Sequence, residues 1–580
     1  MTASARARFV LVAALAVLGA ACVSVPTEGP VVEGRAGGEP VAPPNVAVLP
    51  SGPRAGDDPE AIVEGFLSAM ASYEPGYPTA REYLTPEASA QWRPESGIAV
   101  YGAGEGSRNV STTEDGLKIA LRLEARVAED GSYSAAAPGE RLVLDLRVTQ
   151  VGGEWRIDSP PDGLVMTAFD FNREFAAYAS YFFDPGYDVL VPDLTYLPVR
   201  GNLPTLLVQE LLDGPTEWLD PAVRSAIDPG VSLTSGSVVQ AGTVAQVDLS
   251  AQVAIASAEQ RDRLAAQLAW TLRQAPGVSE VALLAAGQPV PLTSSPNGVV
   301  SAEAFAFYDP TAIPAGDLLF AISDGRVVGV ADTEAVPVDG PLGTTGGYRS
   351  VAVSLTGTRA AAVEMDGSTV VTSGLTDESQ VSRFEIGSDL AVPSFDRSGR
   401  VWLVDRGSRS SQVLLLDDRN EPVPVPSGDL SQVRVDRLTI APDGVRAAAV
   451  YTAEGSRRLA LALVLPQRDG SVALGRVRDV ALDSVQPLDV AWASATALAM
   501  LGDDNGDVAP FLVELSNGSL SSRGQVPSAV GLAASPGQPL VIGTGPVEQP
   551  DGTTARVLVR QDALQEWVPL VTAQAPTYAG

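Results

Sequence analysis

The chain has 580 residues, 39 basic against 70 acidic side chains for a net charge of −31, and 45% hydrophobic residues. That is too long for one core and too apolar for disorder, so two to four globular domains are expected, and binding to nucleic acid or to an anionic lipid surface is disfavoured. The chain has no histidine, one cysteine (Cys22) and one lysine (Lys118), which excludes Ser-His-Asp and Cys-His nucleophiles and the commonest zinc ligand. Little room is left for Ser-Lys chemistry. Carboxylate-only catalysis, as in glycosidases, passes this filter.

In chain order, Arg6 and Arg8 precede an apolar run from Phe9 to Leu18, followed by Gly19, Ala20, Ala21 and Cys22. A basic start, a short apolar stretch and small residues before a cut describe an export signal over residues 1–21. At about 1.5 Å per residue the run covers only about half of a bilayer core of roughly 30 Å, too little to span it. The small residues before the lone cysteine resemble the lipobox of bacterial lipoproteins, with Leu18 one place earlier than that motif's usual leucine. The resemblance makes Cys22 the lipidated first residue of the mature chain, which leaves no intrachain disulfide. Residues 22–56 form a tether: Val23 to Gly56 holds seven prolines and six glycines without hydrophobic periodicity.

Residues 57–175 read as an α+β domain. Asp57-Asp58-Pro59-Glu60 starts a helix whose apolar face is Ile62, Val63, Phe66, Leu67 and Met70, and a second helical piece covers Pro86 to Trp92. Strands follow over Leu117 to Val127, Arg141 to Gln150 and Glu154 to Ile157. Leu142, Leu144, Leu146 and Val148 alternate with Val143, Asp145 and Arg147, the pattern of a half-buried strand. Helices before a curved antiparallel sheet resemble the NTF2-like cone.

Residues 176–295 contain YFFDPGYDVLVPDLTYLPV from Tyr181, then LVQELLDGPT and VAQVDLS. Asn202 and Pro204 open a helix carrying Leu206, Leu207, Leu211 and Leu212, stopped at Asp213-Gly214-Pro215. Ser257 to Gln260 form a capping box for a second helix with Leu264, Leu268 and Leu272 on its buried face, ended by Pro276-Gly277. A strand from Val281 to Leu284 follows. These motifs resemble the GerMN domain, and each of their residues reads as fold maintenance.

Residues 300–580 repeat. Apolar strands begin near Leu318, Arg359, Arg400, Arg446, Ala497 and Pro539, spaced by 41, 41, 46, 51 and 42 residues, most of them after a turn such as Ala441-Pro-Asp-Gly444. This period predicts an all-β propeller of about six blades, with EWVPLVTA in the tail as the closing strand.

Two motifs have both a chemical and a structural reading. Asp503, Asn505, Asp507 and Glu514 have calcium-loop spacing, but Val508 stands where that loop needs glycine, and Asn505-Gly506 is a hairpin turn. Ser394 to Trp402 is similar to the sialidase Asp-box but one residue too long, and varies across neighbouring repeats as a blade turn would. Asn109-Val-Ser and Asn517-Gly-Ser match glycosylation acceptors by pattern only. No catalytic, cofactor-binding or metal-ligating residue is assigned.

The order of parts, with YFFDPGYDVLVPDLTYLPV, LVQELLDGPT and PSFDRSGRVWLVD, resembles the actinobacterial LpqB lipoprotein family along essentially the whole chain. The resemblance implies a lipid-anchored accessory protein on the outer face of the cell membrane. It also implies contact with the extracellular domain of the sensor kinase MtrB and an influence on MtrA signalling in envelope homeostasis and division. A cell-wall glycan-binding module and a carboxylate-based envelope glycan hydrolase are the alternatives.

Overall fold

The computed structural model describes residues 50–580 apart from 105, 417–420, 483 and 549–553. The described residues form one compact unit. The first helix, Pro59–Met70, is capped by Asp58, whose Oδ1 accepts the Ala61 N–H at 2.9 Å. Ile62, Val63, Phe66, Leu67 and Met70 are all buried against the sheet that follows. Two further short helices, Pro78–Arg81 and Pro86–Gln91, complete this layer. Ser51 and Gly56, placed in the tether by composition, are bound to the domain: the Tyr83 hydroxyl donates to the Ser51 carbonyl at 2.6 Å, and the Gly56 N–H to Glu154 Oε2 at 3.0 Å.

The first sheet contains β1 (Ile98–Tyr101), β2 (Arg108–Thr112), β3 (Gly116–Val127), β4 (Tyr133–Ala135), β5 (Arg141–Val151), β6 (Glu154–Ile157) and β7 (Leu164–Thr167). Its main order is β6-β5-β3-β1-β7, with β2 and β4 also paired to β3. In β5, Leu144 and Leu146 are buried while Val143, Asp145 and Arg147 are exposed, as the alternation requires. The expectation of an antiparallel sheet is corrected at one edge, where β7 pairs parallel to β1. A four-residue apolar run such as LVMT carries no directional signal. Its direction comes from Gly163 and Leu164, whose N–H groups donate to the carbonyls of Arg93 and Gly97.

A short helix, Ala168–Glu174, leads into the hairpin β8 (Phe175–Phe183) and β9 (Leu190–Pro198). Two cores share this hairpin. Phe175 and Tyr196 at its open end pack into the first domain, while Tyr181, Phe182, Phe183, Leu190 and Val191 belong to the second. Its free edge is satisfied by side chains of the helix Ala258–Leu272 and the turn after it. Gln267 Nε2 donates to Tyr181 O at 2.8 Å, Thr271 Oγ1 accepts the Tyr181 N–H at 3.1 Å, and Gln274 bonds both backbone groups of Ala179.

The second domain adds the helix Leu203–Asp213 and the strands β10 (Val239–Ala241), β11 (Val244–Leu249), β12 (Glu280–Ala285), β13 (Gln288–Pro289) and β14 (Val299–Val300). β11 and β12 are parallel, joined by the Ala258–Leu272 crossover helix, whose Leu264, Leu268 and Leu272 are buried. In the Leu203–Asp213 helix Leu207 and Leu211 are buried, whereas Leu206 and Leu212 are only partly so.

Among the described residues, six four-stranded antiparallel sheets form the propeller. The six apolar segments read from sequence are the second strand of each blade, Leu319–Ser323, Arg359–Glu364, Val401–Arg406, Arg446–Ala453, Ala497–Asp504 and Val541–Glu548. The closing strand is not EWVPLVTA. Trp567–Thr572 is the outer strand of the sixth blade, and the ring closes through Gln574–Tyr578, which pairs with Leu319–Ser323 as the inner strand of the first. The closing segment QAPTY is short, mixes polar with apolar residues and is only partly buried, so its more apolar neighbour is the better candidate by sequence.

The blade turns are tied to one another by arginines. Arg359 Nη1 donates to Gly399 O at 3.3 Å, Arg397 Nη1 to Pro442 O at 3.2 Å, and Arg446 Nη2 to Ala495 O at 2.7 Å, each reaching the next blade. Arg446 is itself fixed by Asp443 at 2.6 Å, with both side chains almost fully buried, and stacks 5.1 Å from the Trp492 ring. Breaking such a buried pair on one side costs about 3–5 kcal/mol, so these turns are part of the ring's framework.

Candidate functional site at a three-domain junction

The hairpin β8–β9 also faces the propeller. Asp193 in β9 accepts the Thr216 N–H at 2.6 Å and the Thr216 hydroxyl at 3.0 Å, which fixes the turn after LLDG. That turn presents Trp218, whose Nε1 donates to Arg476 O at 2.5 Å in the fourth blade while the Arg478 guanidinium lies 3.9 Å from its ring centroid. Leu194 and Trp218 pack against the cluster of Val450, Leu459, Leu461 and Leu482 between blades four and five. The first domain closes the third side: Asp130 Oδ2 accepts the Glu217 N–H at 3.1 Å, and the Tyr196 N–H donates to Gly131 O at 2.9 Å. The LLDGPT motif, read from sequence as fold maintenance alone, therefore also couples the three domains.

Carboxylates gather here. Burial pushes Asp193 up to about 6 against the opposing Thr216 hydrogen bonds. Burial pushes Glu210 up to about 7, and Asp213, Asp193 and Asp130 add to the rise. Desolvation beneath the indole pushes Arg478 down to about 10. Because the folded state holds these two acid protons more tightly than the unfolded chain, their stabilisation is complete below the ordinary carboxylate range. It is lost as pH rises through about 6 and about 7. Glu210→Gln should therefore gain stability relative to the parent between pH 5 and 7.5, by roughly 1–2 kcal/mol in denaturant titrations. A stability difference that stays constant over that range would contradict this assignment.

Beside the junction, a cleft of about 1120 Å³ opens between the first domain and blades four and five. Arg122, Glu124 and Tyr133 line one wall, and Arg458, Asp479 and Asn517 the other. Tyr451 Oη donates to Asp479 Oδ1 at 2.6 Å, and Arg458 Nη1 lies 3.5 Å from Asp479 Oδ2, so the propeller wall is pre-organised.

The remaining sequence-predicted positions resolve as follows. Cys22 lies outside the described residues. Asn505 and Gly506, with φ of 55° and 100°, form the two-residue turn between Ala497–Asp504 and Asp507–Glu514, so the calcium-loop spacing belongs to a hairpin. Asp396 accepts from Arg400 Nε at 2.8 Å and Trp402 Nε1 at 3.0 Å within its own turn, the structural role expected of that motif. Asn109 lies on exposed β2, and Asn517 at the rim of the cleft. Sequence reasoning missed Asp193, Glu210, Trp218 and Arg478. The one usable signal was a tryptophan three residues beyond the Gly214-Pro215 helix stop.

Family models match three consecutive regions: the N-terminal domain of lipoprotein LpqB over residues 52–172, a sporulation and spore germination domain over 179–291, and the lipoprotein LpqB beta-propeller domain over 325–579. Lipoprotein LpqB of Thermobifida fusca is 30% identical over 598 residues, covering 92% of this chain and 94% of its own. That of Streptomyces coelicolor is 31% identical, covering 97% and 96%. The chain belongs to the LpqB lipoprotein family. It is accordingly a membrane-anchored lipoprotein, and no helix among the described residues is long and apolar enough to cross a membrane. In LpqB terms, the junction is where all three family domains meet: Gly131 from the first, β9 and Trp218 from the second, and Arg476 and Arg478 from the propeller.

Proposed function

We propose that this LpqB-family chain is an extracytoplasmic accessory protein, anchored through Cys22, that binds the ectodomain of the sensor kinase MtrB and modulates its signalling in envelope homeostasis and division. The observation that carries the reading is the cleft of about 1120 Å³, walled by two domains that the Trp218 junction holds together. It is large, open and of mixed charge, which suits a protein segment better than a small apolar ligand. The role is binding rather than catalysis: the chain has no histidine, and of the cleft carboxylates Glu124 and Asp479 the second is engaged by Tyr451 and Arg458. Anchoring raises the effective concentration opposite a neighbouring ectodomain, so a weak contact suffices. Crosslinking in intact membranes followed by pull-down tests the reading. Recovery of MtrB, reduced by Arg458→Glu, is expected; recovery without it, or recovery indifferent to that change, would refute it.

A further inference from the structure

The inner strands of the six blades enclose an axial channel whose two ends differ. At one end Ala579 N–H donates to Leu318 O at 3.2 Å and Gly580 N–H to Val353 O at 3.0 Å, with Ile313 against Gly580, leaving about 30 Å³. The other end is a cavity of about 500 Å³ at the start of the inner strands. None of its lining residues belongs to the interdomain cleft.

This mouth runs against the charge of the chain. In a protein with 70 acidic and 39 basic side chains, a cavity should inherit a negative surplus. Arg349, Arg406, Arg437 and Arg556 line this one, contributed by blades two, three, four and six, against Asp436 and Asp489. Asp389 is shared by Arg406 at 2.6 Å, Arg349 at 3.3 Å and Arg434 at 3.6 Å, and Arg434 also pairs with Asp436 at 2.9 Å, so with Arg437, Arg556 and Asp489 five guanidinium groups meet three carboxylates. The Asp489 carboxylate facing Arg437 at 3.2 Å also accepts the N–H of Leu532 at 3.1 Å. Arg556 bonds the neutral amide oxygen of Gln574 and has no carboxylate partner among the described residues. A concave, partly desolvated wall focuses such a surplus, and arginine forks match the geometry of carboxylate and phosphate oxygens.

We infer that the open mouth of the propeller channel is an oxyanion-binding site, taking a carboxylate- or phosphate-bearing ligand on Arg437 and Arg556. The inference is independent of the cleft and of MtrB. Full-length protein in detergent is titrated calorimetrically at low salt with pyrophosphate and with citrate, which separate a phosphate source from a carboxylate one. Saturable binding of either at one site per chain is expected, with the preferred probe naming the source and equal affinities marking an unselective site. Arg437→Gln and Arg556→Gln should each weaken it tenfold or more. Arg556 is exposed, so its variant should melt as the parent does. Arg383→Gln, on an outer strand and paired to Glu364 at 2.7 Å, should leave affinity unchanged. Absence of saturable binding by both probes, full affinity in Arg556→Gln, or an equal loss in Arg383→Gln would overturn the proposal.

Discussion

Trp218→Ala should split the unfolding of this protein from one transition into two. The turn after LLDG sends the indole into the propeller, beside Glu217, whose Oε1 lies 3.8 Å from Arg476 Nη1. The indole donates to Arg476 O, covers the Arg478 guanidinium, and packs between blades four and five. Truncating a packed tryptophan costs about 3–5 kcal/mol, here toward the lower end because the ring is only half-buried. The loss also leaves Arg478, already pushed down to about 10 by desolvation, without its aromatic cover. Calorimetry should show a lower first transition for the two N-terminal domains and a later one for the propeller, which keeps its ring and its Asp443–Arg446 pair. A single transition at the parent temperature would show that the junction does not couple the domains.

Cys22→Ser should abolish stable membrane association. The cysteine sulfur is the only thiol in the chain, so no second residue can take the lipid. A diacylglyceryl group buries many methylenes at about 0.8 kcal/mol each, and a net charge of −31 offers no electrostatic adhesion to replace it. The variant should stall at its signal or be shed into the medium. Retention in the membrane fraction after alkaline washing would contradict the assignment of Cys22 as the anchor.

The architecture was legible where burial is one-sided or complete. The helix face Ile62, Phe66 and Met70, the alternation in β5, and the six second strands are written directly as periodicity, because each has one unambiguous environment. The inner strands were harder to read. Arg349, Arg437 and Asp489 interrupt them because they line a polar channel, and the closing strand was misplaced because it is short and mixes polar with apolar residues. The junction was illegible for a different cause. Asp193, the Thr216–Trp218 turn and Arg478 come from three separate chain segments, and no local pattern records that they meet. The shared hairpin β8–β9 also blurs the domain boundary, because its two ends serve different cores, so excising either N-terminal domain alone would expose apolar surface.

The most direct test of the central claim is the binding of full-length protein to the purified MtrB ectodomain, measured at about 50 mM and about 500 mM salt. An acidic partner that recognises basic patches through a cleft of mixed charge should bind saturably at low salt and several-fold more weakly at high salt. Arg458→Glu, which removes the ion pair on the propeller wall of the cleft, should weaken binding at both. No saturable binding at either salt, or identical affinity for parent and Arg458→Glu, would contradict the account.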